Sequence, residues 1–140
     1  MKDDPQNEVP MLKQIETDLA PKPFSNYAQA IEIAPGARYM FIAGQVGADT
    51  SGNIPESPEA QHRLAWANVL AILKAAGMDH RNIVDARVFI TDRSQIGLYR
   101  QVRDEVLKGH RAAATLLVVA GLADPRLVME VTVIAAAPGK

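Results

Sequence analysis

Two apolar segments near the end of the chain constrain the fold most strongly. The first covers residues 114–119 and the second covers residues 127–131, with a short loop between them. Both are apolar at consecutive positions, which is typical of strands that are buried on both faces. The second segment contains one carboxylate, Glu130. Because an ionised group loses its hydration inside a sheet, Glu130 needs either a partner or a function.

Strands earlier in the chain are predicted by alternation and by turn residues. Residues 30–33 alternate, residues 39–43 are mostly apolar, and Pro35 and Gly36 lie between them. This arrangement predicts a β-hairpin. Residues 83–90 alternate between apolar and polar positions, and this period predicts a strand with one buried face.

Two helices are expected between these strands. Ser57 and Pro58 provide a cap and a first-turn proline, and that helix would end at Gly77. Ser94 predicts the cap of a second helix, which would end at Gly109. The predicted order is therefore β-β-α-β-α-β-β, an α+β fold with one mixed sheet and both helices packed on one face.

Such a fold leaves one face of the sheet without a cover in a single chain. Large exposed apolar patches are rare in soluble monomers, so the pattern predicts that copies of the chain associate. The alternative is that loops or the N-terminal arm cover this face, but the arm is too polar to be a good lid. We interpret residues 1–12 as a flexible arm and residues 13–140 as a single domain.

Composition narrows the class of function. The 140 residues carry a net charge of −1 and include no cysteine, which argues against nucleic acid as a partner and against a thiolate metal site. His62, His80 and His110 have no metal-ligand spacing, so we expect them on the surface of helices or loops, with no metal and no cofactor. We expect neither a signal peptide nor a membrane span, and therefore a cytoplasmic protein with no membrane partner.

Four segments together resemble a known family. They are residues 15–30 (IETDLAPKPFSNYAQA), 41–46 (FIAGQV), 83–90 (IVDARVFI) and 128–131 (VMEV). In this order and spacing they are similar to the landmarks of the RidA/YjgF family, over about residues 15–137. The resemblance implies a chorismate-mutase-like fold and a homotrimer, with small-molecule ligands bound in three clefts between subunits.

The same resemblance implies a chemistry and a set of residues. The characterised branch of the family hydrolyses reactive enamine and imine intermediates, and releases ammonia and a 2-keto acid. Its cleft uses a glutamate that positions water, an aromatic residue, a backbone glycine and an arginine that grips the substrate carboxylate. By position, Glu130 matches the glutamate, Tyr27 the aromatic residue and Gly44 the glycine.

The arginine has no counterpart in this chain. Alignment back from Glu130 places Thr115 at its position. Two charge-assisted hydrogen bonds of roughly 1.5–3 kcal/mol each would be missing, or about 10²- to 10⁴-fold in affinity for a 2-imino acid. We therefore expect a divergent member with an altered substrate range. Arg100, Arg103 or Arg111 could supply another cation, or all three could be solvated surface residues.

The leading hypothesis is a small-molecule hydrolase or deaminase of the enamine/imine type. Glu130 would position water and protonate the leaving nitrogen, while Thr115 and main-chain groups near Gly44 and Leu117 hold the substrate. For Glu130 the alternative is a structural carboxylate. For the whole chain it is a non-catalytic trimeric small-molecule-binding protein that uses the same cleft.

Two further activities have less support. A chorismate mutase would need several cations around a dicarboxylate, and the missing arginine argues against it. A ribonuclease would need a basic groove, which the sequence does not indicate. Arg87 lies beside Asp85 in an alternating strand, where an ion pair on an exposed face suits it better than catalysis.

Overall fold

The computed structural model describes residues 11–140. The predicted arm therefore lies mostly outside the described residues. Met11 is buried, and its carbonyl oxygen accepts a hydrogen bond from the Ala34 amide at 2.8 Å. Leu12 begins a strand that the sequence pattern did not predict. The folded part thus includes the last two positions assigned to the arm.

Two helices and six strands make up the described part of the chain. In order they are β1 (Leu12–Ile15), β2 (Ala30–Ile33), β3 (Arg38–Val46), α1 (Pro58–Ala75), β4 (Ile83–Ile90), α2 (Ile96–Leu107), β5 (Ala113–Val118) and β6 (Met129–Ala137). Single 3₁₀ turns at His80–Asn82 and Arg93–Gln95 precede β4 and α2.

The main sheet is mixed and has four strands in the order β3-β6-β4-β5. Strands β4 and β5 run parallel, while β6 is antiparallel to both β3 and β4. The predicted hairpin between β2 and β3 is wrong in its pairing, because β2 pairs with β1 in a separate two-stranded sheet. A parallel bridge between Ala28 and Ala113 connects this N-terminal unit to the start of β5.

Helix ends confirm one predicted cap and correct another. The Ser57 hydroxyl accepts a hydrogen bond from the Ala60 amide at 3.2 Å, as expected for the cap of α1. Ser94 caps nothing. Instead the Asp92 carboxylate accepts from the Ser94 amide at 2.8 Å and starts the 3₁₀ turn that leads into α2.

Both helices pack on one face of the main sheet, as predicted. The core on this face combines alternate residues of β4 and β6 with the inner side of α1; its fully buried side chains include Trp66, Val69, Leu73, Val88, Ile90, Val131 and Met129. Burial of each large apolar side chain contributes about 1.5–3 kcal/mol. The helix face therefore carries most of the stability that this sheet can provide within one chain.

The other face of the sheet, called here the open face, is not covered by any element of the described chain. Phe41 is 76% exposed, Tyr39 is 55% exposed and Leu117 is 47% exposed. The last two segments of the sequence were expected to be buried on both faces. Within one chain only β6 approaches that expectation, because β5 is an edge strand whose Thr115, Leu117 and Val118 are exposed.

His62 contradicts the expectation that all three histidines lie at the surface. It is fully buried in α1, where its Nε2 is 3.1 Å from the Gln95 side-chain oxygen. Its Nδ1 and the Trp66 Nε1, one turn away, have no hydrogen-bond partner among the described residues. Burial lowers the pKa of His62, which favours the neutral imidazole. The reason is helical spacing: His62 lies four and seven residues before Trp66 and Val69, and therefore on the buried face of α1.

Within residues 11–140, no helix is long and apolar enough to cross a membrane. The same part of the chain holds no cluster of three or more histidine, cysteine, aspartate or glutamate side chains that could bind a metal ion.

Candidate functional site

The strand register places the predicted functional residues of β5 and β6 in two rows on the open face. Phe89 lies opposite both Leu117 and Glu130, and these three form the Glu130 row. Arg87 lies opposite both Thr115 and Thr132, and these three form the Arg87 row. Since alternate residues of a strand share a face, both rows point away from the helices.

Glu130 lies directly against Gly44 of the neighbouring strand β3. A methyl group added at Gly44 would come within 2.8 Å of the Glu130 carboxyl carbon. The register of β3 against β6 shifts between Ile42 and Gln45, so Gly44 sits in a β-bulge. The absence of a side chain at position 44 is what allows the carboxylate to occupy this place.

The Glu130 carboxylate is half-buried and lies beside Phe89 in the register. Among residues 11–140, neither a hydrogen bond nor an ion pair engages it. A structural carboxylate would be expected to accept backbone amide hydrogens or to pair with a cation. Its lack of a partner within the described chain favours a function over a structural role.

Thr115 and Leu117 share the open face with Glu130. Both are exposed and belong to the edge strand β5, with β4 between them and β6. The hydroxyl of Thr115 is therefore available to a ligand. It carries no charge, and it cannot form the two-pronged contact of an arginine with a carboxylate.

Tyr27 lies on the other side of the sheet. Together with Tyr99, Arg100 and Arg103 it lines a cavity of about 200 Å³ on the helix face, to which β5 contributes Ala114 and Leu116. The Tyr27 hydroxyl accepts a hydrogen bond from the Phe24 amide at 3.2 Å. Within one chain, therefore, Tyr27 and Glu130 do not share a cleft.

The guanidinium group of Arg103 is bound by contacts within the fold. It is 2% exposed, and its Nε and one terminal nitrogen donate to Asp104 Oδ1 at 3.0 and 2.9 Å. The other terminal nitrogen donates to the Ser25 hydroxyl at 3.0 Å. Its guanidinium also stacks over the ring of Tyr99, 5.2 Å from the centroid. These contacts hold the segment before β2 against α2.

Arg111 has a similar anchoring role, whereas Arg100 does not. The terminal nitrogens of Arg111 donate to the Tyr27 carbonyl oxygen at 2.5 Å and to the Gln14 side chain at 3.2 Å, and Glu16 lies 3.5 Å away. Arg100 is exposed and lines the helix-face cavity. Neither residue lies on the open face beside Glu130.

Arg87 and Asp85 form the expected ion pair on the open face. The Arg87 Nε donates to Asp85 Oδ2 at 3.0 Å, and the arginine side chain is 62% exposed. Both residues line a shallow cavity of about 210 Å³ with Phe41, Thr132 and Ile134. This cavity adjoins the Arg87 row.

Gln61 is a positioning residue that the sequence pattern did not reveal. It is 1% exposed, and its side-chain oxygen accepts from the Val128 amide at 2.9 Å. Its amide nitrogen donates to the carbonyl oxygens of Pro55 and Arg126, both at 2.9 Å. These bonds fix the chain two residues before Glu130. A glutamine within an apolar helix face was the available signal.

With this geometry established, comparison with known proteins identifies the family. The family model described as Endoribonuclease L-PSP matches residues 17–137. The chain belongs to this family, in which RidA-, TdcF- and RutC-type proteins are its relatives. The α+β, chorismate-mutase-like fold is thereby established for residues 11–140.

Relatives of known name are about one third identical. A mouse protein named 2-iminobutanoate/2-iminopropanoate deaminase is 32% identical over 112 residues, which are 79% of this chain and 81% of that protein. Escherichia coli TdcF, a putative reactive intermediate deaminase, is 33% identical over 103 residues, 73% of this chain and 78% of TdcF. The structure of E. coli TdcF with bound serine superposes with a TM-score of 0.68 at 30% identity, and covers 89% of this chain and 98% of that one.

Proposed function

We propose that this chain is a hydrolase of reactive imines and enamines with a substrate range altered by the loss of the usual arginine. The observation that supports this most directly is the half-buried Glu130 carboxylate, which lies over Gly44 with no partner in the described chain. The deaminase names of relatives point to the same chemistry.

In the proposed reaction Glu130 acts as a proton carrier. Its carboxylate accepts a proton from water as the oxygen bonds to the imine carbon. That proton then passes to the nitrogen and gives a carbinolamine. The proton of the new hydroxyl group moves to the nitrogen through the same carboxylate, the carbonyl forms, the carbon–nitrogen bond breaks, and ammonia leaves. Leu117 and main-chain groups beside Gly44 would hold the substrate next to the carboxylate, and the Thr115 hydroxyl would add one neutral contact.

A homotrimer is part of this proposal. The open face exposes Tyr39, Phe41 and Leu117, and association of copies would bury this apolar surface. Within one chain Tyr27 and Arg100 lie on the opposite side of the sheet. We propose that they reach a cleft only from a neighbouring subunit. Arg103 and Arg111 take no part in the proposed mechanism, because the contacts of the fold already use their guanidinium groups.

The test is hydrolysis of freshly generated 2-iminopropanoate and 2-iminobutanoate by the wild type and by Glu130→Gln. We expect the variant to lose about 10²-fold or more in rate, since the amide cannot accept the proton from water. Glu56→Gln is the matched control, because Glu56 is exposed in the loop before α1. Wild-type hydrolysis no faster than the spontaneous reaction would contradict the proposal.

The second candidate is a trimeric protein that binds a small molecule without turnover. The uncharged Thr115 at the position of the usual arginine favours it. In that case the wild type does not accelerate imine hydrolysis, and Glu130→Gln changes the affinity for a stable 2-keto acid, measured by calorimetry. The wild type and Glu130→Gln, compared in both assays, therefore distinguish the two functions.

A further inference from the structure

We propose that Arg87 binds the carboxylate of the substrate, in place of the arginine whose position Thr115 occupies. This inference rests on the proposed function, since it assigns a binding group to the same site. The ligand class is a small 2-imino or 2-oxo monocarboxylate.

The register of the sheet places Arg87 next to the position of the missing arginine. Arg87 on β4 lies directly opposite Thr115 on β5, with which it is paired in the parallel ladder. Neighbouring strands are about 4.7–4.9 Å apart, so an arginine on β4 begins only one strand spacing from the position on β5. The charge missing from one strand is therefore present on the next strand, on the same face.

The guanidinium of Arg87 has hydrogen-bond donors that the fold does not use. Only the Nε of Arg87 is bonded, to Asp85 at 3.0 Å; among residues 11–140 its two terminal nitrogens have no partner. These two nitrogens form the fork that binds a carboxylate with two parallel hydrogen bonds. Because the Arg87 side chain is 62% exposed, its pair with Asp85 contributes little stability, and the main effect of the pair is to orient the guanidinium.

The surroundings of Arg87 fit a small amphipathic acid. The Glu130 row beside it contains the apolar side chains of Phe89 and Leu117, which suit a short alkyl chain, while the cavity of about 210 Å³ lies on the other side of Arg87. Thr132 lies directly opposite Arg87, and Glu130 is two residues before Thr132 on β6, about 7 Å away along the strand. A ligand with its carboxylate on Arg87 would thus have its second carbon directed toward Glu130.

The other arginines near the fold make this assignment more specific. Arg103 and Arg111 use their terminal nitrogens within the fold, and Arg100 lies on the helix face. Of these four arginines, Arg87 is the one that has terminal nitrogens without a partner within residues 11–140 and lies on the face of Glu130.

Two measurements on the full chain test the assignment: binding of 2-oxobutanoate by titration, and hydrolysis of 2-iminobutanoate. We expect Arg87→Gln to weaken binding and raise KM by about tenfold to a hundredfold, the loss expected for a charged hydrogen-bond donor. Arg87→Lys keeps the charge without the fork and should recover part of the affinity. The double variant R87T/T115R returns the charge to β5, and we expect it to recover most of the affinity.

The chain offers a matched control in Arg126→Gln. Arg126 is also paired with an aspartate two residues earlier, Asp124 at 2.8 Å, but it lies in the loop before β6. We expect this variant to bind 2-oxobutanoate as the wild type does. Sedimentation of each variant shows whether assembly is retained.

The outcomes separate this inference from the proposed function. Binding that depends on Arg87 without any hydrolysis by the wild type would support the inference and contradict the function. Hydrolysis by the wild type with unchanged KM and binding in Arg87→Gln would support the function and overturn the inference. Loss of binding only together with loss of assembly would also overturn it, since Arg87 would then be an interface residue.

Discussion

The two faces of the main sheet differ in how far their polar side chains are hydrogen-bonded. On the helix face, polar side chains such as Arg103 and Gln61 are buried and saturated with hydrogen bonds that hold segments of the fold together. On the open face, Glu130 and the terminal nitrogens of Arg87 have no partner within residues 11–140. The polar groups of one face therefore stabilise the fold, while those of the other are left available for a ligand or a second chain.

We expect the strongest effect on the free energy of unfolding when an aromatic residue is removed from the helix face, and little effect when one is removed from the open face. Trp66→Ala on the helix face removes a fully buried side chain, and we expect the free energy of unfolding to fall by about 3–5 kcal/mol. Phe41→Ala on the open face, 76% exposed, should change it by less than about 0.5 kcal/mol in a single chain. Urea unfolding measures both, at a protein concentration low enough for the proposed homotrimer to dissociate.

An equal loss in both variants would contradict this difference between the two faces. It would mean that the open face is buried in solution under the conditions of the experiment. Urea unfolding at several protein concentrations then shows what buries this face, since the stability of an assembled form depends on concentration. A loss for Phe41→Ala that grows with protein concentration would assign the burial to contacts between copies.

The helix face was predictable because its signals are local. Alternation in residues 83–90 placed β4 with the correct face inward, and Ser57 capped α1 as expected. The pairing of β2 was not predictable in this way. Its partner β1 has only four residues, two of which are polar, and is too short to show a strand pattern. The turn residues Pro35 and Gly36 predict pairing only between the segments next to them, whereas β2 pairs with β1.

The open face was predictable only in part. Alternation places Thr115 and Leu117 on one face of β5 and Glu130 on one face of β6. The strand order then decides that Arg87 lies between Thr115 and Thr132, and no local pattern encodes that order. The bulge at Gly44 also depends on the pairing of β3 with β6, so the sequence could suggest the glycine but not its contact with Glu130.

A smaller effect on stability, with a clear effect on activity, is expected from Gly44→Ala. The added methyl group would meet the Glu130 carboxylate, which must then move from its place over β3. We expect the rate of imine hydrolysis to fall by roughly 10²-fold, the cost of misplacing a reacting group by about 1 Å. The Glu130 side chain is half-buried and can swing outward, so the melting temperature should change little.

Gly97→Ala is the control for that substitution. Gly97 lies in α2, and a methyl group there would meet no atom within 4 Å among the described residues. We expect unchanged activity and a slight gain in stability, because alanine favours a helix. Full activity in Gly44→Ala would show that the position of the carboxylate over β3 is not needed for the reaction.

The smallest effect on stability concerns His62, which, like Trp66, has a buried polar atom without a hydrogen-bond partner among the described residues. Burial lowers its pKa below the ordinary value of 6.5, so as the pH falls through 6.5 the unfolded chain takes up a proton that the folded chain does not. The free energy of unfolding should therefore decrease as the pH falls below about 6.5, by at most about 1.4 kcal/mol per pH unit. His62→Gln removes this proton uptake and should reduce the slope between pH 5 and 7 in urea titrations, while the lowered pKa of His80 accounts for a remaining slope. An unchanged slope would mean that His62 is protonated equally in both states, and would contradict the effect of burial on its pKa.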